Sequence, residues 1–270
     1  MVHFPNAKIN LGLRVTERRS DGYHNLETLF YPVPLCDVLE LIRGESYSFR
    51  VTGLALDGPG EENLVVRAYR LMQERFDLPP VRIHLHKVIP MGAGLGGGSS
   101  DAAFMLKAVN DLFKTGVIPE EMEQMAATLG ADCPFFIRNT PALAAGIGDV
   151  LQPVALELPG FHLVLVKPPV HVSTAMAYGA ITPAVPEVPL SEIISRPVDE
   201  WKGSLVNDFE EPVCRMFPEI GEIRETLYRM GAVYASMTGS GSAVYGLFRA
   251  LPEGIREHFP DDYFTFAHAL

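Results

Sequence analysis

The densest group of residues suited to anion chemistry is Pro90-Met91-Gly92-Ala93-Gly94-Leu95-Gly96-Gly97-Gly98-Ser99-Ser100. Glycine admits positive φ and lets the backbone approach a ligand closely, so successive N–H groups can converge on a phosphate. The hydroxyls of Ser99 and Ser100 can donate to its oxygens. A helix is predicted after the loop from Ala102, Ala103, Leu106, Val109 and Leu112, and its start adds unpaired N–H donors and partial positive charge. The stretch holds a formal GxGxxG at Gly92, Gly94 and Gly97, which alone is a weak dinucleotide signal. Pro90 separates the preceding strand from the first glycine, and Glu120 and Glu121 fall at a helix start rather than at the end of the next strand. A Walker-type loop is excluded, because no Gly-Lys-Ser/Thr follows. A flexible linker is disfavoured between a clean strand and a clean helix.

Phosphate transfer to a hydroxyl needs a base for its proton and cations for the moving charge. Asp132 follows Gly130-Ala131 directly after a predicted helix end, where a carboxylate can project into a cleft. It is equally placed to cap a short helix beginning near Pro134, and spacing alone leaves both open. Lys8 shares one side of a strand with Asn10, where a long cationic side chain is ordinarily solvated. His84 and His86 share a strand face and could in principle hold an ion. No Cys or third His lies near them, so a polar strand face is preferred and no metal ligand is assigned.

The elements that must position these groups follow from periodicity. Ala7, Ile9, Leu11, Leu13 and Val15 alternate with polar residues as a strand, and a second extended segment runs through Leu26, Leu29 and Val33. Leu64, Ala68, Leu71, Met72 and Phe76 have helical spacing, with Pro79-Pro80 ending that element. Val81, Ile83 and Leu85 form a strand ending near Lys87, and Pro119 opens a helix that Gly130 closes. A change of texture at 153–160 marks a domain boundary, giving halves 1–156 and 157–270. The second half predicts strands at 162–166, 232–237 and 243–248, a last one through Phe264 and Phe266, and a helix over Ile220, Ile223, Leu227 and Met230 stopped by Gly231. The tract from Pro183 to Pro197 is expected as a surface excursion. Strands and helices mix without a strict βαβ rhythm, which favours α+β.

The chain has 270 residues and a formal charge of −11, ample for a packed core and poorly suited to a nucleic-acid backbone. Cys36, Cys133 and Cys214 form no CxxC pair, as expected of a reducing compartment. The N-terminus lacks a signal-peptide pattern, and the uncharged stretch between Arg229 and Arg249 is broken by Gly239-Ser240-Gly241-Ser242. A soluble cytoplasmic protein with no membrane partner is expected, of open oligomeric state.

The glycine stretch resembles the ATP loop of the GHMP kinases. Pro5-Asn6-Ala7-Lys8-Ile9-Asn10-Leu11 is similar to their N-terminal motif, and Thr238-Gly239-Ser240-Gly241-Ser242-Ala243 to their C-terminal glycine loop. Asp21-Gly22-Tyr23-His24 and the run at 130–136 resemble the branch whose acceptor is a cytidine diphosphate-linked methylerythritol. The resemblance implies a two-domain α+β GHMP kinase fold with the site in the cleft between the halves. It implies ATP as phosphoryl donor, with Mg²⁺ held mainly by the ATP phosphates. Residues 90–100 would then cradle the phosphates, with Asn63 near the adenine and Lys87 near the purine or ribose. Asp132 aligns with the catalytic aspartate, and Lys8 with the lysine beside it. Tyr23, the His24 backbone and Tyr178 would take the cytosine, with Asn10 and Thr174 bonding the acceptor.

Overall fold

The computed structural model describes residues 1–55 and 60–270. Two compact units emerge. One gathers Met1–Lys8, Pro32–Met91 and Gly96–Thr140, and the other Ile9–Tyr31, Gly92–Leu95 and Pro141–Leu270.

The first unit holds a four-stranded sheet in the order β1 (Val2–His3), β4 (Val38–Arg43), β6 (Val81–Lys87), β5 (Ser48–Gly53). Strands β4 and β6 are antiparallel, with Leu39 opposite Leu85 and Leu41 opposite Ile83, while β5 runs parallel to β6. Alternation puts Val81, Ile83 and Leu85 on the buried face. Lys87 has the same parity, so the strand that carries it also turns it inward. Helix α1 (Leu64–Phe76) buries Val65, Val66, Ala68, Tyr69 and Met72. Its cap is Asn63, whose Oδ1 accepts the Val65 N–H at 2.9 Å, a bond worth about 1 kcal/mol. Helix α2 (Gly97–Phe113) packs along α1 and against β4. Helix α3 (Pro119–Ala127) starts on a proline with preset φ, and the short α4 (Phe135–Arg138) buries Phe135, Phe136 and Ile137.

The second unit holds most of a sheet ordered β2 (Asn6–Arg18), β3 (His24–Cys36), β7 (Ala142–Ala145), β8 (Val150–Pro153). A separate antiparallel sheet runs β10 (Tyr234–Met237), β11 (Val244–Phe248), β9 (His162–Lys167), β12 (Phe264–Ala269). Helix α8 (Pro218–Arg229) lays Ile220, Ile223 and Leu227 into a core shared with Val164, Val166, Val244 and Phe248. Three shorter helices complete the unit: α5 (Thr174–Gly179), α6 (Leu190–Ile194) and α7 (Glu210–Met216). Among the described residues, no helix is long and apolar enough to cross a membrane.

The architecture is α+β, as the mixed pattern implied. Two expectations change. Residues Asn6–Leu13 of β2 are buried on both faces, so Lys8 and Asn10 do not lie on a wet strand face. The Pro183–Pro197 tract is not wholly a surface excursion either, since Leu190, Ile193 and Ile194 are buried in α6.

Candidate active site

Burial on both faces of β2 takes the Lys8 ammonium out of water, and an isolated charge there would be strongly disfavoured. Asp132 answers it, with Oδ2 at 3.4 Å from Lys8 Nζ. Burial lowers the Lys8 pKa, and the Asp132 charge and hydrogen bond oppose that shift. The pair is asymmetric: the lysine side chain is 4% exposed and the carboxylate 34%. Asp132 can therefore turn an oxygen outward while the ammonium holds it. Helix α4 has Pro134 in its cap position with no side-chain cap bond, so Asp132 is not spent on that helix end. Next to it, Cys133 is fully buried; burial pushes its thiol up to about 11, against a hydrogen bond with Ser99.

The glycine-rich loop leaves β6 after Lys87 and enters α2 at Gly97. Gly96 occupies the cap position at φ 68° and has no side chain to fill it, so first-turn N–H groups remain for a ligand. A Cβ on Gly96 would stand 2.9 Å from the Phe136 ring and 3.1 Å from Lys8 Cγ. The loop thus rests on the stem of the lysine that holds Asp132. Ala93, Leu95 and Pro90 are buried, while Met91, Gly92 and Gly98 are exposed. Ser100 is fully buried, and its Oγ has no partner. An uncapped helix start, a glycine floor that a Cβ would fill and an orphaned hydroxyl are the features a bound phosphate chain needs. Leu64 Cδ1 comes within 3.8 Å of a Cβ placed on Gly98, which brings the Asn63-capped start of α1 to the loop.

Within the second unit, Asn10 is the centre of a buried network. Its Nδ2 donates to Thr28 Oγ1 at 2.9 Å, and its backbone N–H donates to Thr238 Oγ1 at 3.0 Å. Tyr245 donates its hydroxyl to the Asn10 carbonyl at 2.9 Å. Asn207 Nδ2 donates to the carbonyls of Met237 and Gly239, both at 2.8 Å, and so fixes the second glycine loop. A Cβ on Gly94 would fall 2.0 Å from the Thr238 carbonyl oxygen, so only glycine permits that approach. Thr174 Oγ1 lies 3.4 Å from Ser240 Oγ.

The aromatic groups arrive differently from expectation. The His24 ring stacks on Tyr178 with centroids 4.8 Å apart and planes at 21°, and Phe209 meets Tyr178 edge-on at 4.8 Å. His24 thus brings its imidazole to Tyr178, where sequence reasoning looked only to its backbone. Tyr23 is 62% exposed on the turn, its N–H bonded to Asp21 Oδ1 at 3.1 Å. Lys87 Nζ is buried, paired with Asp37 and, at 2.7 Å, with Asp101. The rings of His84 and His86 both meet Thr52 Oγ1, at 2.8 and 2.9 Å.

Residues 63–140 match the GHMP kinases N terminal domain, and residues 195–264 the GHMP kinases C terminal domain. The 4-diphosphocytidyl-2-C-methyl-D-erythritol kinase of Parabacteroides distasonis is 56% identical over 92% of this chain and 92% of its own. The chain belongs to the GHMP kinases, in the 4-diphosphocytidyl-2-C-methyl-D-erythritol kinase family. The Bacteroides thetaiotaomicron kinase of that name is 55% identical, covering 94% of this chain and 93% of its own. A crystal structure of 4-(cytidine 5'-diphospho)-2C-methyl-D-erythritol kinase superposes with a TM-score of 0.78 at 40% identity, covering 92% of this chain and 90% of that one.

Several residues around this kinase's site escaped the sequence reading. Asp101 directly follows the glycine stretch, and an acidic residue in an anion-binding element was the available signal. Thr28, Asn207 and Tyr245 bond partners far away in sequence, which no local pattern announces. Asp208 accepts the Val15 N–H at 2.8 Å and pairs with Arg14 at 3.1 Å, which secures β2.

Proposed function

We propose that this kinase transfers the γ-phosphate of ATP to the 2-hydroxyl of 4-diphosphocytidyl-2-C-methyl-D-erythritol, a step of the non-mevalonate route to isoprenoid precursors. The observation that carries the reading is the Lys8–Asp132 pair directly beneath the phosphate loop, with Gly96 resting on the lysine stem. Asp132 takes the proton of the acceptor hydroxyl. That oxygen attacks the γ-phosphorus in line, the bond to the β,γ-bridging oxygen breaks, and ADP leaves. Lys8 holds the aspartate in place by its charge and stabilises the oxygen as it gains charge.

The N–H groups of Gly97, Gly98 and Ser99 hold phosphate oxygens at the open helix start. Mg²⁺ would be held mainly by the nucleotide phosphates at this helix start, where it would supply positive charge to them. Tyr178, stacked with His24, offers the cytosine a flat face, and the exposed Tyr23 ring can close on the other. Thr174 and Asn10 lie on the acceptor side. In this division the half 1–156 supplies the loop and the base, and the half 157–270 supplies Tyr178, Thr174 and the second glycine loop. The free cysteines fit a cytoplasmic setting, and the charge of −11 fits a small-molecule partner better than a nucleic acid.

The test is ATP consumption with this acceptor and Mg²⁺, wild type beside Asp132→Asn. Turnover that requires the acceptor and disappears in the variant supports the reading. Full turnover in Asp132→Asn removes the base, and turnover only with another alcohol removes the substrate.

A further inference from the structure

Beneath the phosphate loop lies a second charged cluster that the chemistry above does not use. Asp37 is fully buried just before β4. Its Oδ1 accepts the backbone N–H groups of Val88 and Ile89, the latter at 2.9 Å, and its Oδ2 accepts from Lys87 Nζ. Lys87 Nζ also donates to Asp101 Oδ2 at 2.7 Å, in the first turns of α2. The fastening therefore grips the chain on both sides of the loop, at Lys87–Ile89 before it and at Asp101 after it. Gly97 sits against this cluster: a Cβ there would be 2.9 Å from Ile89 Cγ2 and 3.4 Å from Lys87 Nζ.

Core packing alone does not account for such a cluster, since apolar side chains of similar volume often stabilise a fold as well or better than buried ion pairs. One ammonium serves two carboxylates, and Asp101 Oδ1 is buried without a partner. What the charged version supplies is direction. Short hydrogen bonds from the Lys87 ammonium fix where the end of β6 stands relative to the first turns of α2.

We propose that Asp37, Lys87 and Asp101 are positioning residues that hold the N–H groups of Gly97, Gly98 and Ser99 in the orientation that receives the nucleotide phosphates. The inference rests on the phosphate-cradle reading above and adds to it a function for the buried charges.

The test measures steady-state KM for ATP and for the cytidine acceptor, with calorimetric binding of Mg²⁺ and a non-hydrolysable ATP analogue, in wild type, Asp101→Ala, Asp101→Asn and Asp37→Asn. Asp101→Ala, which cuts the link to α2, should raise the ATP KM about tenfold or more and leave the acceptor KM within about twofold. Asp101→Asn still offers an oxygen to Lys87 and should recover the ATP KM to within about threefold of wild type. A variant that melts earlier but keeps its ATP KM overturns the inference, as does an Asp101→Asn as defective as Asp101→Ala. If Asp101→Ala does not fold, Asp37→Asn decides: a selectively raised ATP KM supports positioning, and an unchanged one refutes it. Failure of the wild type to bind the analogue strikes the cradle reading itself. Wild-type binding with indifferent variants strikes only the inference.

Discussion

The Lys8 and Lys87 ammoniums are both buried in the same compact unit, Lys8 against Asp132 and Lys87 against Asp37 and Asp101. Around Lys87 every member is closed off, with side-chain exposures of 2%, 0% and 3% for Lys87, Asp37 and Asp101. Around Lys8 the carboxylate keeps a third of its surface open. The parts are the same and the solvent boundary differs. A carboxylate that reaches the surface can meet a substrate and exchange a proton, whereas a sealed one can only fix geometry.

The sharpest way to break this comparison is to neutralise each aspartate or lysine in turn. Asp132→Asn and Lys8→Met should each lower kcat by about a thousandfold, the upper part of the range for proton transfer and charge stabilisation. Melting temperatures within a few degrees of wild type would confirm that this pair serves rate. Equal losses of stability and rate would put it in the same class as the Lys87 cluster.

Lys87→Met should do the opposite first. It leaves Asp37 and Asp101 buried without the cation that both bond, which destabilises by about 3–5 kcal/mol, measurable by urea unfolding. A shift below about 1 kcal/mol would mean that water or a side-chain rearrangement replaces the ammonium.

A smaller, graded effect concerns pH. Burial lifts the Asp101 carboxyl to about 8, with Lys87 pulling it down and Asp37 pushing it up. The folded chain keeps a proton that the unfolded chain releases near pH 4. Stability linked to that proton is fully present below about pH 4 and is lost as pH rises toward 8, with a slope approaching about 1.4 kcal/mol per pH unit. Asp101→Asn removes this ionisation, so its thermal melts between pH 5 and 8 should vary less than those of wild type. Parallel curves would show that Asp101 ionises normally in the folded chain.

The same contrast marks how far the sequence could be read. The stretch 90–100 stood out because its glycines and serines form one local run. Spacing alone left Asp132 open and read Lys8 as solvated, and only the resemblance singled them out. Asp37 did not stand out: it lies fifty residues from Lys87, and nothing in its neighbourhood distinguishes it from a surface aspartate. Strand parity already turned Lys87 toward the interior, yet a lysine at a strand end reads as solvated until its partners are known. Alternation identified β2 but not its burial on both faces, which depends on what packs over it. Strands β4, β5, β7 and β8 went unread because each spans only four to six residues. The texture change at 153–160 is a feature of the linear chain, whereas the compact units gather separated stretches.

The buried thiol beside Asp132 has a consequence for chemical durability. With its pKa up at about 11, Cys133 is ionised in only about one molecule in ten thousand at neutral pH. Peroxides and alkylating agents attack thiolates, so a sulfur adjacent to the proposed base offers them almost no target. The kinase can thus keep a cysteine next to the proposed base with little of it present as a competing nucleophile or oxidisable thiolate.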